Sequence, residues 1–333
     1  MASIREIAKR AGVSVTTVSK ALNNYSDVSP ITKKRILSIC KELDYTPNPV
    51  ARNLAAKRSN LIALILSDIK ETDANGNIIY RLLLGAQSVC SQRGYELVII
   101  FTNDEKQQKK SLRELCKERN LCGFIIYGLK LSNPYYHEID SLTIPCVTLD
   151  VETEHHVPAV VCTDNKQAVG EVVSLFYERG RRKIAMMNGS HEAYVSFLRE
   201  DSFRNAMASY SLPVREGMVR YGDYFESKAY QETLLLMRAH PETDAIFAAS
   251  DIMAMGVLRA LKDLGKAVPQ DVALVGFDGI QTSEYTNPPL TTIYQDFKAM
   301  GASAVESVIK ILEGKPYQHI NYVPHQLVLR KST

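Results

Sequence analysis

The chain has 333 residues, 45% hydrophobic and 23% charged, with a formal net charge of +3. That length supports two or three units with ample core, and no uncharged apolar run approaches the roughly 18 residues of a membrane-spanning helix. The charge is uneven: residues 1–60 hold eleven Lys/Arg against four Asp/Glu, a net +7 that leaves −4 for the rest, so a polyanionic partner is expected at the head alone.

Ser3 to Leu22 reads as two short helices joined by a tight turn. Ser3 and Glu6 form a capping-box pattern, Ile4, Ile7, Ala8 and Ala11 share one apolar face, and Gly12 ends the first helix. Ser14 caps the second, with Val13 and Val18 as a hydrophobic staple and Val18, Ala21 and Leu22 turned inward. Val15, Thr16 and Lys20 are left outward, which is the pattern of a helix-turn-helix whose second helix enters the major groove. Ser29 and Pro30 open a third helix, with Ile36, Ile39, Cys40 and Leu43 inward. From Asn48 to Lys57 the pattern supports only about two helical turns, too few to stand alone, so a helix there is expected to form when something packs on it.

From Leu61 onward short apolar runs alternate with amphipathic helices. Strands are expected at 61–66, 97–101, 123–127, 145–149, 183–187, 245–249 and 272–277. Helices are expected near 78–93, 105–119, 166–179, 201–210, 227–239, 251–264 and 297–313. This alternation builds parallel sheets covered on both faces, and two series of it imply two doubly wound lobes. Ligands of such sheets lie beyond the carboxyl ends of the strands, which brings Asp68, Asn103, Tyr127, Asp150, Ser250 with Asp251, and Asp278 towards one crevice.

Catalytic signatures are missing from the sequence: no GxGxxG after a strand, no GxxxxGK[ST], no GxSxG and no HExxH. The six cysteines stand singly in apolar segments and read as buried free thiols, and the His155–His156 pair reads as a solvated turn rather than a metal site. No catalytic residue, metal or cofactor is expected. Met1 leads directly into a capped helix rather than a secretory leader, so the expected location is the cytoplasm.

Taken together, these stretches resemble the lactose-repressor-type (LacI/GalR) family of transcription regulators over essentially the whole chain. The matching pieces are IREIAKRAGVSVTTVSKALN, VSPITKKRI, YTPNPVARNLA, SLFYERGRRKIAMMNG, AIFAASDIMAMGVLRAL, VALVGFDGIQTSEYTNPPLTTIYQDF and MGASAVESVI. The resemblance implies an α/β protein in three parts: a helix-turn-helix head over 1–46, a hinge helix and linker over 47–60, and over 61–333 a two-lobed, doubly wound core like periplasmic sugar-binding proteins. It further implies a homodimer that reads a pseudo-palindromic double-stranded operator and takes a small effector, expected to be a sugar, between its lobes.

Residue by residue, Val15, Thr16 and Lys20 match the family's base-reading positions, and Ser14, Thr17 and Thr32 its phosphate-contacting ones. Leu54 matches the leucine that wedges into the central base step, with Ala51 and Ala55 as its minor-groove neighbours. In the core, Asp150, Arg199, Tyr224, Ser250, Asp278 and Gln295 match effector-contacting positions, and Asn103 and Tyr127 match more loosely. Two departures flank the crevice: the segment SDIKETDANGNIIYRL is several residues longer than usual, and Ser202 stands where the family has a glycine. The expected activity is that of an effector-controlled repressor and not of an enzyme. The alternatives are a carbon catabolite regulator governed by a phosphorylated carrier protein, and a sugar-processing enzyme with a DNA-binding appendage.

Overall fold

Two units partition the chain at Asn60/Leu61. The structure is a computed structural model that describes residues 3–22, 25, 27–45, 59–69, 76–153, 155 and 158–333.

In the head, helix α1 (Ile4–Ala11) starts where the Ser3 hydroxyl accepts from the Glu6 amide at 3.3 Å. It ends on Gly12, whose left-handed φ of 60° lets its N–H turn back onto the carbonyls of Ala8 and Lys9. Helix α2 (Val15–Leu22) restarts at once, because Ser14 Oγ accepts from the Thr17 amide at 3.0 Å and removes one unpaired donor from the first turn. Helix α3 (Pro30–Glu42) is capped in the same way by Ser29, with proline in its first turn. The three helices enclose a small core of Ile7, Ala8, Ala11, Val18, Ala21, Ile36 and Cys40, against which Val13, Val28 and Leu43 also pack.

In the second unit, strands β1 (Leu61–Ser67), β2 (Glu96–Thr102), β3 (Gly123–Tyr127), β4 (Cys146–Leu149), β5 (Ala159–Cys162) and β11 (Ile320–Tyr322) form one parallel sheet in the order β11-β5-β4-β3-β1-β2. Strand β1 shows why its sequence is an unbroken apolar run. Ile62, Leu64 and Leu66 face the core under helix α4 (Gly76–Arg93), while Ala63 and Ile65 face another under α5 (Asp104–Lys109), α6 (Leu112–Glu118) and α7 (Pro134–Glu138). The second sheet runs β12-β10-β9-β8-β6-β7, from β6 (Ile184–Asn188), β7 (Val219–Tyr221), β8 (Ala245–Ala248), β9 (Ala273–Asp278), β10 (Thr291–Gln295) and β12 (His325–Val328). Only its β10–β12 pair is antiparallel. Helices α8 (Asn165–Glu178), α9 (Tyr194–Ser209), α10 (Glu226–Ala239) and α11 (Asp251–Asp263) cover it. Helix α12 (Phe297–Leu312) returns to the first lobe and packs on α4.

The two doubly wound lobes expected from sequence are therefore present. In each, the strand order reverses beside the first strand, at β1/β3 and β6/β8, which fixes where a crevice opens. The chain passes between lobes after Cys162, after Gln295 and after Tyr322, and a 2.6 Å bond from Thr163 Oγ1 to Gln295 Oε1 ties two of these passages together.

Three expectations on elements need correction. The helix expected near 105–119 is two, because Lys110 is extended and a Ser111/Glu114 capping box starts a new helix. The helix expected near 201–210 begins at Tyr194, a start hidden because Ala193 offers no side-chain cap and Tyr194, Val195 and Phe197 are weak helix formers. Strands β5, β7, β10, β11 and β12, each of three to five residues, were not expected.

Candidate functional site

The second unit carries a cleft of about 330 Å³ between its lobes. Its floor is built from strand ends. Asp68, Asp150 and Asp278 follow or close β1, β4 and β9, and all three hold left-handed φ values of 53°, 59° and 107°, a conformation that Asp tolerates better than bulkier residues. The chain thus turns sharply at each strand end and leaves the carboxylate in the cleft. Tyr224 adopts φ 63° for the same purpose, and Gly189 makes room for its ring: a Cβ there would lie 2.2 Å from it. The Tyr224 hydroxyl shares a 2.8 Å hydrogen bond with Ser196.

Arg199, only 3% exposed, crosses the floor. Its Nε donates to Asn165 Oδ1 at 2.9 Å, its Nη1 to the Ala249 carbonyl at 2.7 Å, and its guanidinium lies 3.8 Å from the centre of the Phe277 ring. Nη2 has no acceptor among the described residues. Asp150 Oδ1 is buried and likewise has no hydrogen-bond partner among them. Gln295 accepts from Thr163 and donates from Nε2 to Asp278 Oδ1 at 2.9 Å, so its amide orientation is fixed at both ends.

Burial raises both floor carboxyls, Asp150 to about 6 and Asp278 to about 7, against the opposing pull of Arg199. Burial also pushes the Tyr127 phenol far up, with Asp278 and Asp150 adding to the effect, so Tyr127 remains a neutral donor. The mouth of the cleft is charged. Lys130 lies 3.6 Å from Asp68 and 3.6 Å from Glu192, the Leu131 amide donates to the Glu192 carbonyl at 2.9 Å, and Tyr194 donates to Glu152 at 3.0 Å. Each of these contacts except Lys130–Asp68 joins one lobe to the other. With Asp68, Asp150, Glu192, Asp223 and Asp278 set against Lys130 and Arg199, the wall is acidic, and the rings of Tyr127, Tyr194, Tyr224, Phe225 and Phe297 add apolar surface.

On the head, Val15 is 42% exposed and Thr16 is exposed beside it on the first turn of α2, while Ser14 and Thr17 share their hydroxyls at 2.9 Å. Thr32 bonds to Ser29 in the first turn of α3. Lys20 is bonded to Asp27.

A small basic three-helix head and a two-lobed core with a polar cleft can be compared with known proteins. Residues 3–48 match the family described as bacterial regulatory proteins, lacI family, and residues 173–333 match a periplasmic binding protein-like domain. The ribose operon repressor of Halalkalibacterium halodurans is 32% identical over 100% of this chain and 97% of its own length. The chain belongs to the LacI family. Catabolite control protein A of Priestia megaterium is 29% identical over 99% of both chains. The Lac repressor dimer bound to operator and the anti-inducer ONPF superimposes with a TM-score of 0.86 at 26% identity, covering 99% of this chain and 98% of the other. Like these LacI-family relatives, the protein is a DNA-binding transcriptional regulator and not an enzyme. Among the described residues no helix is long and apolar enough to cross a membrane.

The LacI-type cleft brings together Tyr127, Asp150, Arg199, Tyr224, Asp278 and Gln295 of the expected effector set. Two others stand elsewhere. Asn103 is an exposed N-cap that accepts from the Lys106 amide, and Ser250 is the buried N-cap of α11. Asp251, also placed near the crevice by its strand, is instead fully buried, accepting from the Ile280 amide and the Thr292 hydroxyl. All three are among the first polar groups after their strands, and helix capping or core pairing claimed them. Ser202, in the family's glycine position, spends its hydroxyl on the Leu198 carbonyl of its own helix. Lys130, Glu192 and Tyr194 were missed, because they lie in loops or at a helix start whose meeting across the lobes has no local signal. The hinge residues Ala51, Leu54 and Ala55, His156, and residues 70–75 of the lengthened segment lie outside the described residues.

Proposed function

We propose that this regulator is a cytoplasmic repressor that binds a pseudo-palindromic operator as a homodimer and is controlled by a neutral sugar held between its lobes. The observation that carries the effector reading is the pairing of an uncommitted donor with an uncommitted acceptor on one buried floor: Arg199 Nη2 and Asp150 Oδ1. A hydroxyl both accepts and donates, so a polyol serves them together, and Asp278 accepts a further hydroxyl. The acidic wall disfavours anions, and aromatic faces suit the C–H side of a sugar ring. The relative named as a ribose operon repressor points the same way.

In the head, α2 lies in the major groove. Val15 and Thr16 offer methyls to thymine, Lys20 donates to guanine O6/N7, and Ser14, Thr17 and Thr32 bond phosphates. Leu54 wedges into the central step of the site, with Ala51 and Ala55 beside it in the minor groove. Effector binding and operator binding are then coupled through the lobes, reciprocally.

Calorimetry with ribose, glucose, disaccharides, sugar phosphates and nucleobases tests the reading, repeated on Asp278→Ala. One neutral sugar binds, and the variant loses the effector response while keeping operator affinity. Binding of a nucleobase with failure of every sugar would reject the pocket chemistry. A second reading, regulation by a phosphorylated carrier protein, is favoured by the likeness to catabolite control protein A. Capture of such a phosphoprotein by the full chain, with no sugar response, would support it instead.

A further inference from the structure

The head holds four acidic residues. Glu6 lies in the first turn of α1, where its charge suits the helix dipole, and Glu42 and Asp44 lie at the close of α3. Asp27 lies in the turn between α2 and α3, and its carboxylate is bonded to the ammonium of Lys20 on the outward side of α2. The turn is fixed on both sides of it. The Tyr25 amide donates to the Lys20 carbonyl at 3.1 Å, Val28 packs on the head core, and Ser29 caps α3. Lys20 and Asp27 are 44% and 53% exposed at their side chains, and an ion pair so exposed adds little to folding stability. A negative charge beside a DNA-reading helix also works against phosphate attraction. Neither the fold nor raw DNA affinity accounts for Asp27.

We propose that Asp27 is a specificity-determining residue that acts through Lys20. Its carboxylate takes one of the three ammonium donors and so aims the other two at a pair of acceptors such as guanine O6 and N7. On unrelated DNA the same carboxylate repels the phosphates that Lys20 would otherwise engage. Asp27 is a positioning residue here, and the inference rests on the reading of Lys20 as a base contact.

The test uses the full chain and a random-sequence duplex library, from which the wild type, Lys20→Ala, Asp27→Asn and Asp27→Ala each enrich a motif. Affinities for the wild-type motif and for a scrambled duplex are then measured over a range of salt. Lys20→Ala relaxes one base pair per half-site, and both Asp27 variants relax that same base pair. With Asp27 replaced, scrambled DNA binds several-fold tighter and the ratio of motif to scrambled affinity falls by about tenfold. If the Asp27 variants change both affinities by one factor and enrich an unchanged motif, Asp27 contributes net charge only and the proposal fails. Relaxation at a different base pair, or loss of binding to both duplexes by both variants, would also overturn it. If Lys20→Ala itself leaves the motif unchanged, the underlying reading of Lys20 is what fails.

Discussion

The floor of the cleft is governed by two carboxyls whose ordinary range is near 4 and which burial lifts to about 6 at Asp150 and about 7 at Asp278. Their folded values exceed the unfolded one, so between roughly pH 4 and 7 the folded state holds more protons. The stability these groups contribute is therefore full at the acid end and is lost as pH rises through 6 and 7. Sugar binding has the opposite slope, since hydroxyls donate to ionised carboxylates. We expect affinity for the neutral effector to rise tenfold or more between about pH 5.5 and 7.5 and Asp278→Asn to flatten the upper part of that rise. Titration calorimetry at several pH values checks this, and a pH-independent affinity would mean that the ligand does not touch these carboxylates. Six of the eight expected effector residues line the cleft: Tyr127, Asp150 and Asp278 were legible as strand ends, whereas Arg199, Tyr224 and Gln295 came from the family resemblance. Asn103 and Ser250 illustrate the limit of that rule, since a polar residue after a strand can equally cap the next helix.

Among the elements, the contact between α4 and α12 is the tightest in the first lobe. A Cβ on Gly85 would sit 1.9 Å from the Lys298 carbonyl oxygen, and one on Gly301 would sit 2.1 Å from that of Leu82. Both obstacles are backbone, so neither can swing aside, and the two helices approach closely because each presents a glycine to the other. Gly85→Ala is expected to cost about 2–3 kcal/mol through overpacking, lowering the core's unfolding midpoint by roughly 5–10 °C. Thermal unfolding followed by circular dichroism measures it. An unchanged midpoint would mean that the helices can separate. In the head, Ser14→Ala removes the cap on α2 and is expected to cost about 1 kcal/mol there, leaving the core's unfolding untouched. Amide exchange resolved to each unit distinguishes the two.

At the scale of the whole molecule, charge and lobe contacts give separate consequences. With the basic residues concentrated in the first 60 positions, DNA affinity should fall steeply as salt rises, log affinity declining linearly with log salt as counterions are released. Affinity indifferent to salt would contradict a phosphate-bound head. Glu192 and Tyr194 bridge to Lys130, Leu131 and Glu152 on the other lobe, holding the cleft mouth closed. Replacing both, as Glu192→Ala with Tyr194→Phe, is expected to shift the free protein towards separated lobes and raise its radius of gyration in small-angle scattering. Addition of the effector should reverse the change. An identical scattering curve for variant and wild type would show that the Glu192 carboxylate and the Tyr194 hydroxyl do not hold the cleft closed.

The sequence by itself determined what is local. Caps at Ser3, Ser14 and Ser29, the glycine turn at Gly12, the 3.6-residue spacing of the head's apolar faces and the unbroken apolar runs of the long strands all act between residues a few positions apart, so pattern reading recovers them. It thereby gave the helix-turn-helix, the doubly wound lobes and, through the motifs, the family. The tertiary structure alone decided what is distant. Strands such as Ala159–Cys162 and Ile320–Tyr322 are too short to carry a period, and they exist because a neighbouring strand, far along the chain, pairs with them. Arg199 is held by Asn165 and Ala249, and Gln295 by Thr163, across 34, 50 and 132 residues. Lys130 meets Glu192 only once the elements between them have folded. An ion pair or hydrogen bond depends on a few ångströms of separation, which composition and spacing do not encode, whereas capping and amphipathic periodicity are written directly into the order of the residues.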